Sequence, residues 1–173
     1  NVSKTNIQNI PQFKPYKQNY LNIISGEGKE DIKKYAQNLV LAIKPYSLKN
    51  LPNEGYLAMQ AIMTGNTEDL EKIAIMGQIH KVVSETLLEM EVPKEIAGLH
   101  LSLLNNTAKI SFIDSVLAEA FENSSFVMSF VNDYKRETDS LVSNINKINK
   151  FFSDKNIQFG PDEKIRIYIN NIE

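Results

Sequence analysis

Between Ile96 and Ala118 the chain carries only two formal charges, Lys109 and Asp114, against a chain-wide average of 23% charged residues. Wound at about 100° per residue, Ile96, Leu99, Leu103, Ile110, Ile113, Leu117 and Phe121 form one broad apolar stripe, and Leu101, Leu104, Ala108 and Phe112 form a second on roughly the opposite side. A helix at a protein surface needs one such stripe. Two stripes demand cover on most sides, so Pro93 to Glu122 reads as the central helix against which the remainder packs. A membrane span is also apolar all round and about 20 residues long. Here, however, His100, Asn105, Asn106 and Asp114 would each sit in hydrocarbon at a cost of up to about 3 kcal/mol. The cover is therefore protein, and the expected fold is an all-α antiparallel bundle of about five helices, three of them long.

Composition narrows the function. A chain of 173 residues with 42% hydrophobic content supports one ordinary core. A net charge of −2 lacks the basic footprint that neutralises phosphates, so no nucleic-acid partner is expected. Cysteine is absent, which excludes disulfides, thiolate metal sites and a cysteine nucleophile. Lysine outnumbers arginine 17 to 2, and isoleucine and asparagine are also abundant. All three have A/T-rich codons, so this bias reads as genomic rather than as a lysine-built binding surface. The chain starts at Asn1 rather than Met, and a leader or membrane anchor is expected upstream.

Punctuation divides the chain into an arm and a bundle. Residues 1–24, with Pro11 and Pro15, read as an extended arm or tether, and residues 25–173 as the helical bundle domain. Ile7, Ile10, Phe13 and Tyr16 either lie along the bundle or leave the arm disordered. The first helix spans about Lys29 to Lys44, with Ile32, Tyr35, Ala36, Leu39, Val40 and Ile43 inward, and Pro45 stops it. A short helix from about Glu54 to Met63 is closed by Gly65, a left-handed stop. Asn66 or Thr67 caps a third helix that runs to about Glu91, with Leu70, Ile73, Ala74, Gly77, Leu87 and Leu88 inward. Gly77 permits close approach of a neighbour.

Val92 is pushed out of the helical region by Pro93, itself suited to open the next helix, and a tight antiparallel hairpin results. Asn123-Ser124-Ser125 breaks the chain before a fifth helix, about Phe126 to Phe152. The tail, Lys164 to Ile169, alternates like a strand, yet Pro161-Asp162-Glu163 reads like a helix start. A helical turn or an extended packed tail is favoured.

Motifs that carry chemistry are scarce. The glycines form no P-loop or dinucleotide fingerprint, and His80 and His100, the only histidines, are too far apart in sequence for a zinc-hydrolase pattern. No Glu-x-x-His motif exists for ferritin-like di-iron chemistry, and no serine sits in a nucleophile elbow. No catalytic, cofactor-binding or metal residue is assigned, no cofactor is expected, and the chain reads as metal-free and not an enzyme. The hairpin could bring His80 to His100 with Glu85 or Glu89, but the preferred reading is a polar site at His100 hydrogen-bonded to a neighbour such as Ser84. Phe126, Phe130, Tyr134, Phe151 and Phe152 read as core rather than as the lining of a pocket. Asp114 falls only about 20° from Leu103 on the inward stripe, where a lone carboxylate needs a partner. A buried polar pair is predicted, with the Tyr134 hydroxyl donating to Asp114; the alternative tilts Asp114 to the bundle edge, toward water or lysine.

The order of features from about Tyr20 to Phe159 resembles a group of uncharacterised helical, envelope-associated proteins of genome-reduced, ultrasmall bacteria. The residues that carry the resemblance are Lys44-Pro45-Tyr46, Thr64-Gly65-Asn66, and above all Val92-Pro93 followed by His100-Leu101-Ser102-Leu103-Leu104-Asn105. The resemblance implies an exported or membrane-anchored protein, extracytoplasmic, associated with pilus or secretion components and without assigned activity. The expected function is thus a non-catalytic structural or protein-interaction module of the cell envelope, with a protein partner. The alternative is a helical sensor or small-ligand-binding domain with a pocket between the third, fourth and fifth helices.

Overall fold

A computed structural model describes residues 12–25, 28–47, 53–119 and 124–157. The expectations for Ile7, Ile10, Phe121 and the tail after 157 lie outside these residues. Among those described, five α-helices form an antiparallel bundle: α1 (Lys29–Ile43), α2 (Glu54–Thr64), α3 (Thr67–Glu89), α4 (Ala97–Glu119) and α5 (Ser124–Asp154). None of them is long and apolar enough to cross a membrane.

Local signals set the helix ends. Asn53 Oδ1 accepts from the Tyr56 amide at 2.7 Å, and Asn66 Oδ1 accepts from the Glu68 amide at 3.0 Å, so asparagine side chains satisfy orphan donors at the starts of α2 and α3. Gly65 closes α2 at φ 70°. Pro45 lies in a single 3-10 turn, Lys44–Ser47, that follows the end of α1.

The α3–α4 hairpin forms, but Pro93 does not open its second helix. Residues Glu91–Pro93 form strand β2, paired in parallel with β1 (Asn22–Ile24), Ile23 opposite Val92. A 3-10 turn, Lys94–Ile96, then leads into α4. The pairing holds this connection extended, because backbone groups buried beside the core must find partners.

α4 is the central helix. Of its residues only Gly98, Ser102, Ser115 and Glu119 are exposed, and Leu103, Leu104, Ile110, Ile113 and Leu117 are buried in one core with Ile73, Val83 and Leu87 of α3 and Tyr134, Leu141, Ile145 and Ile148 of α5. Along α3, Met76 and His80 face inward, whereas Ala74 is exposed contrary to its spacing. It lies next to Ile73, which already occupies the seam.

Of the polar residues of α4 that argued against a bilayer, His100, Asn105 and Asn106 tie it to neighbouring segments. Asn106 accepts from Asn144 Nδ2 at 2.5 Å and donates to Glu137 at 2.9 Å, and Lys109 reaches Glu137 at 2.7 Å, forming a polar seam with α5. Asn105 holds the arm: its Oδ1 accepts from the Tyr16 amide at 2.7 Å and its Nδ2 donates to the Tyr16 carbonyl at 3.1 Å. Phe13 packs against Phe112, with ring centroids 6.0 Å apart, so the described part of the arm lies along the bundle.

Candidate functional site

Two histidines sit in the core, and they do not meet. His100 is fully buried; its Nε2 lies 2.9 Å from the Leu87 carbonyl, which only accepts, so Nε2 carries the proton. Nδ1 is then free to accept from the Tyr35 hydroxyl at 2.9 Å. Burial lowers the His100 pKa to about 4, with the Leu87 bond opposing, and the ring is held neutral. The polar site expected at His100 is therefore present, but with Tyr35 and Leu87 as partners. Ser84, the expected partner, donates instead to the Lys81 carbonyl within its own helix. Glu85 and Glu89, the carboxylates imagined beside a histidine pair, are exposed.

His80 belongs to a different cluster. Its Nδ1 meets the Tyr46 hydroxyl at 2.7 Å and its Nε2 meets Glu54 Oε1 at 3.0 Å. The other Glu54 oxygen accepts from the Tyr134 hydroxyl. Asp114 Oδ2 lies 3.7 Å from His80 Nε2, beyond hydrogen-bond range. Glu54 comes from the first turn of α2, His80 from the middle of α3, Asp114 from α4, Tyr46 from the turn after α1 and Tyr134 from α5, so the cluster joins four helices and the turn after the first.

Close packing brings Asp114 to this point. A Cβ added at Gly77 would lie 3.0 Å from the Asp114 Cβ, and Ser111 Oγ donates to the Gly77 carbonyl at 2.8 Å. Only glycine lets α3 and α4 approach this closely. On the opposite side, a Cβ at Gly55 would lie 3.2 Å from Tyr134 Cδ1, so the tyrosine ring covers the start of α2.

The predicted Asp114–Tyr134 pair is not formed. Both residues are buried, but Tyr134 gives its proton to Glu54, and both Asp114 oxygens lack a hydrogen-bond partner. The alternative also fails, since Asp114 is 0% exposed. Glu54 intervenes because α2 packs against α3 and α5, which puts its first turn between His80 and Tyr134. Nothing in its sequence position, an acid in a helical first turn, marks it as inward-facing. Tyr46 likewise reads as an ordinary residue after a helix stop.

The electrostatics are those of a sealed acidic site. Burial, then the Glu54 charge, pushes the Asp114 carboxyl well above the usual carboxylate range. Burial, then Glu54, raises the Tyr134 phenol, and burial foremost raises Tyr46. Two carboxylates that lack a lysine or arginine partner among the described residues must share protons or a cation to remain in this core. The arrangement can bind a cation; with Glu54, His80 and Asp114 all at least nine-tenths buried, it offers no open face to a substrate. The aromatic residues of α5 described here pack as core, with Phe152 6.1 Å from Tyr35 between ring centroids. Comparison of the chain with protein-family models, with curated proteins and with solved structures finds no match.

Proposed function

We propose that this chain is a non-catalytic helical module of the cell envelope that works by docking another protein. The observation that carries the reading is the outer face of α2. Tyr56, Met59 and Met63 follow at steps of three and four residues, so they lie on one stripe, and they are 65%, 40% and 81% exposed. The opposite side of this short helix is also apolar, with Leu57, Ala58 and Ala61 in the core. A helix apolar on both sides is half-covered, and large apolar groups gathered on one stripe mark an interaction surface. Methionine suits such a surface because its unbranched, polarisable side chain adapts to a partner. α3, which packs against α2, also exposes Ile75 and Val82.

Two further considerations support the reading. The convergent polar groups are sealed inside the bundle, which favours a non-catalytic role. The envelope location rests on the resemblance carried by Val92-Pro93 and the His100 to Asn105 run.

A photo-crosslinking amino acid placed at position 56 or 63 in cells, with position 132 on the exposed side of α5 as control, tests the proposal. One discrete adduct from positions 56 and 63, absent from 132 and abolished by Tyr56→Lys with Met63→Lys, is expected in the membrane or envelope fraction. Equal labelling from all three positions, or recovery of the protein only from cytosol, would overturn it. An adduct with the mass of two copies of this chain would identify a self-dimer instead of a second protein.

A further inference from the structure

One carboxylate oxygen each from Glu54 and Asp114 and one ring nitrogen of His80 lie within 4.8 Å of one another. We propose that these three side chains form a binding site for a single divalent first-row transition-metal ion, with Glu54 Oε1, His80 Nε2 and Asp114 Oδ2 as its protein ligands. The inference goes beyond the docking role and does not depend on it.

Three independent features point to this occupant. The first is spacing. Metal–nitrogen and metal–oxygen bonds of about 2.0–2.2 Å in tetrahedral geometry set neighbouring ligand atoms about 3.4 Å apart. The separations of 3.0 Å from His80 Nε2 to Glu54 Oε1 and 3.7 Å to Asp114 Oδ2 bracket that value. The second is the unpartnered carboxylate. Asp114 is fully buried, and both of its oxygens lack a hydrogen bond. A cation satisfies that group where no protein donor does.

The third is the support around the ligands. Tyr134 holds the far oxygen of Glu54, leaving Oε1 directed at His80, and Tyr46 holds the far nitrogen of His80. Bonds to the remote atom of a ligand are what orient ligands in metal sites. With the ion on Nε2, the imidazole proton resides on Nδ1 and the Tyr46 oxygen accepts it. Two ionised carboxylates, a neutral imidazole and a divalent cation then sum to zero charge, and protons held by the metal-free cluster leave to solvent.

The donor set narrows the metal. One nitrogen and two oxygens without sulfur disfavour copper(I) and suit zinc, manganese, iron(II) or cobalt. Calcium takes six to eight oxygens and magnesium demands near-octahedral oxygen coordination, a poorer match to a site whose protein ligands are one nitrogen and two oxygens. Ligands on α2, α3 and α4 make the ion a staple that fixes the first turn of α2, beneath the stripe of Tyr56, Met59 and Met63.

The test uses the full chain, stripped with chelator, warmed with millimolar zinc chloride to let the buried site open, gel-filtered and assayed for metal content and thermal midpoint. One retained zinc per chain and a raised midpoint are expected for the wild type and for His100→Asn, and cobalt should give the visible bands of a low-coordinate site. Asp114→Asn and His80→Gln should retain less than about a tenth of an ion and show no zinc-dependent shift, whereas Tyr134→Phe should bind about 10- to 100-fold more weakly. Should one of the ligand variants fail to fold, the other decides. No retained zinc in the folded wild type, or equal retention by Asp114→Asn, would overturn the proposal.

Discussion

Tyr134 and Glu54, eighty residues apart in sequence, meet in the core, where the phenol donates to a carboxylate that is itself only 2% exposed. This bond joins α5 to the first turn of α2 and leaves Asp114 without a donor. Removing the hydroxyl by Tyr134→Phe strands a buried charged acceptor, with an expected loss of about 1.5–3 kcal/mol in urea unfolding. In double-mutant cycles, coupling of about 1 kcal/mol or more is expected between Tyr134→Phe and Glu54→Gln. The cycle with Asp114→Asn should give the smaller value, and the reverse order would contradict the assignment.

His100 gives the protein an acid-sensitive core. Its folded pKa, about 4, lies below the ordinary value of 6.5, so the unfolded chain binds the proton more readily between these limits. The contribution to stability is therefore complete above about pH 6.5, falls as pH drops through this window, and levels off below about pH 4, for a total of about 3 kcal/mol. The pH dependence of unfolding free energy should be shallower in His100→Gln than in wild type between pH 4.5 and 6.5. Parallel curves would remove His100 as the source.

The glycines of the α3–α4 pair should respond with opposite signs. At Gly77 an added Cβ meets Asp114 Cβ at 3.0 Å, so Gly77→Ala should push the helices apart and cost about 1–3 kcal/mol. Gly98 is exposed near the start of α4 with nothing within 4 Å of the added atom, so Gly98→Ala should gain about 0.5 kcal/mol from reduced backbone freedom. Chemical denaturation of the two variants provides the comparison.

Asn105 should act locally. Its side-chain amide engages both backbone groups of Tyr16, as a neighbouring strand would. Asn105→Ala should accelerate hydrogen exchange at the Tyr16 amide and through Asn22–Ile24 while changing global stability by no more than about 1.5 kcal/mol. Unchanged exchange at Tyr16 would show that Phe13 and β1 hold the arm without it.

Leu103 probes the central stripe. It is 0% exposed within the α4 core, and Leu103→Ala should cost about 2–5 kcal/mol by opening a cavity. A loss below about 0.5 kcal/mol, typical of surface changes, would contradict that placement.

What the chain declared by itself was governed by neighbours in sequence. The two apolar stripes of residues 96–118 required a covered central helix, the Gly65 and Asn66 signals ended one helix and began another, and Val92-Pro93 forced the hairpin. These are short-range effects of backbone sterics, capping and helical periodicity, readable within a few residues. Even the burial of Asp114 followed from its angle on the stripe. Its surroundings did not, because they depend on where α2 packs. That position brings Glu54 between Tyr134 and His80, and it is set by the packing of α2 on α3 and α5. The pairing of Ile23 with Val92, the docking of Tyr16 on Asn105 and the separate partners of the two histidines have the same origin: each joins segments distant in the chain, and only tertiary packing selects which groups meet.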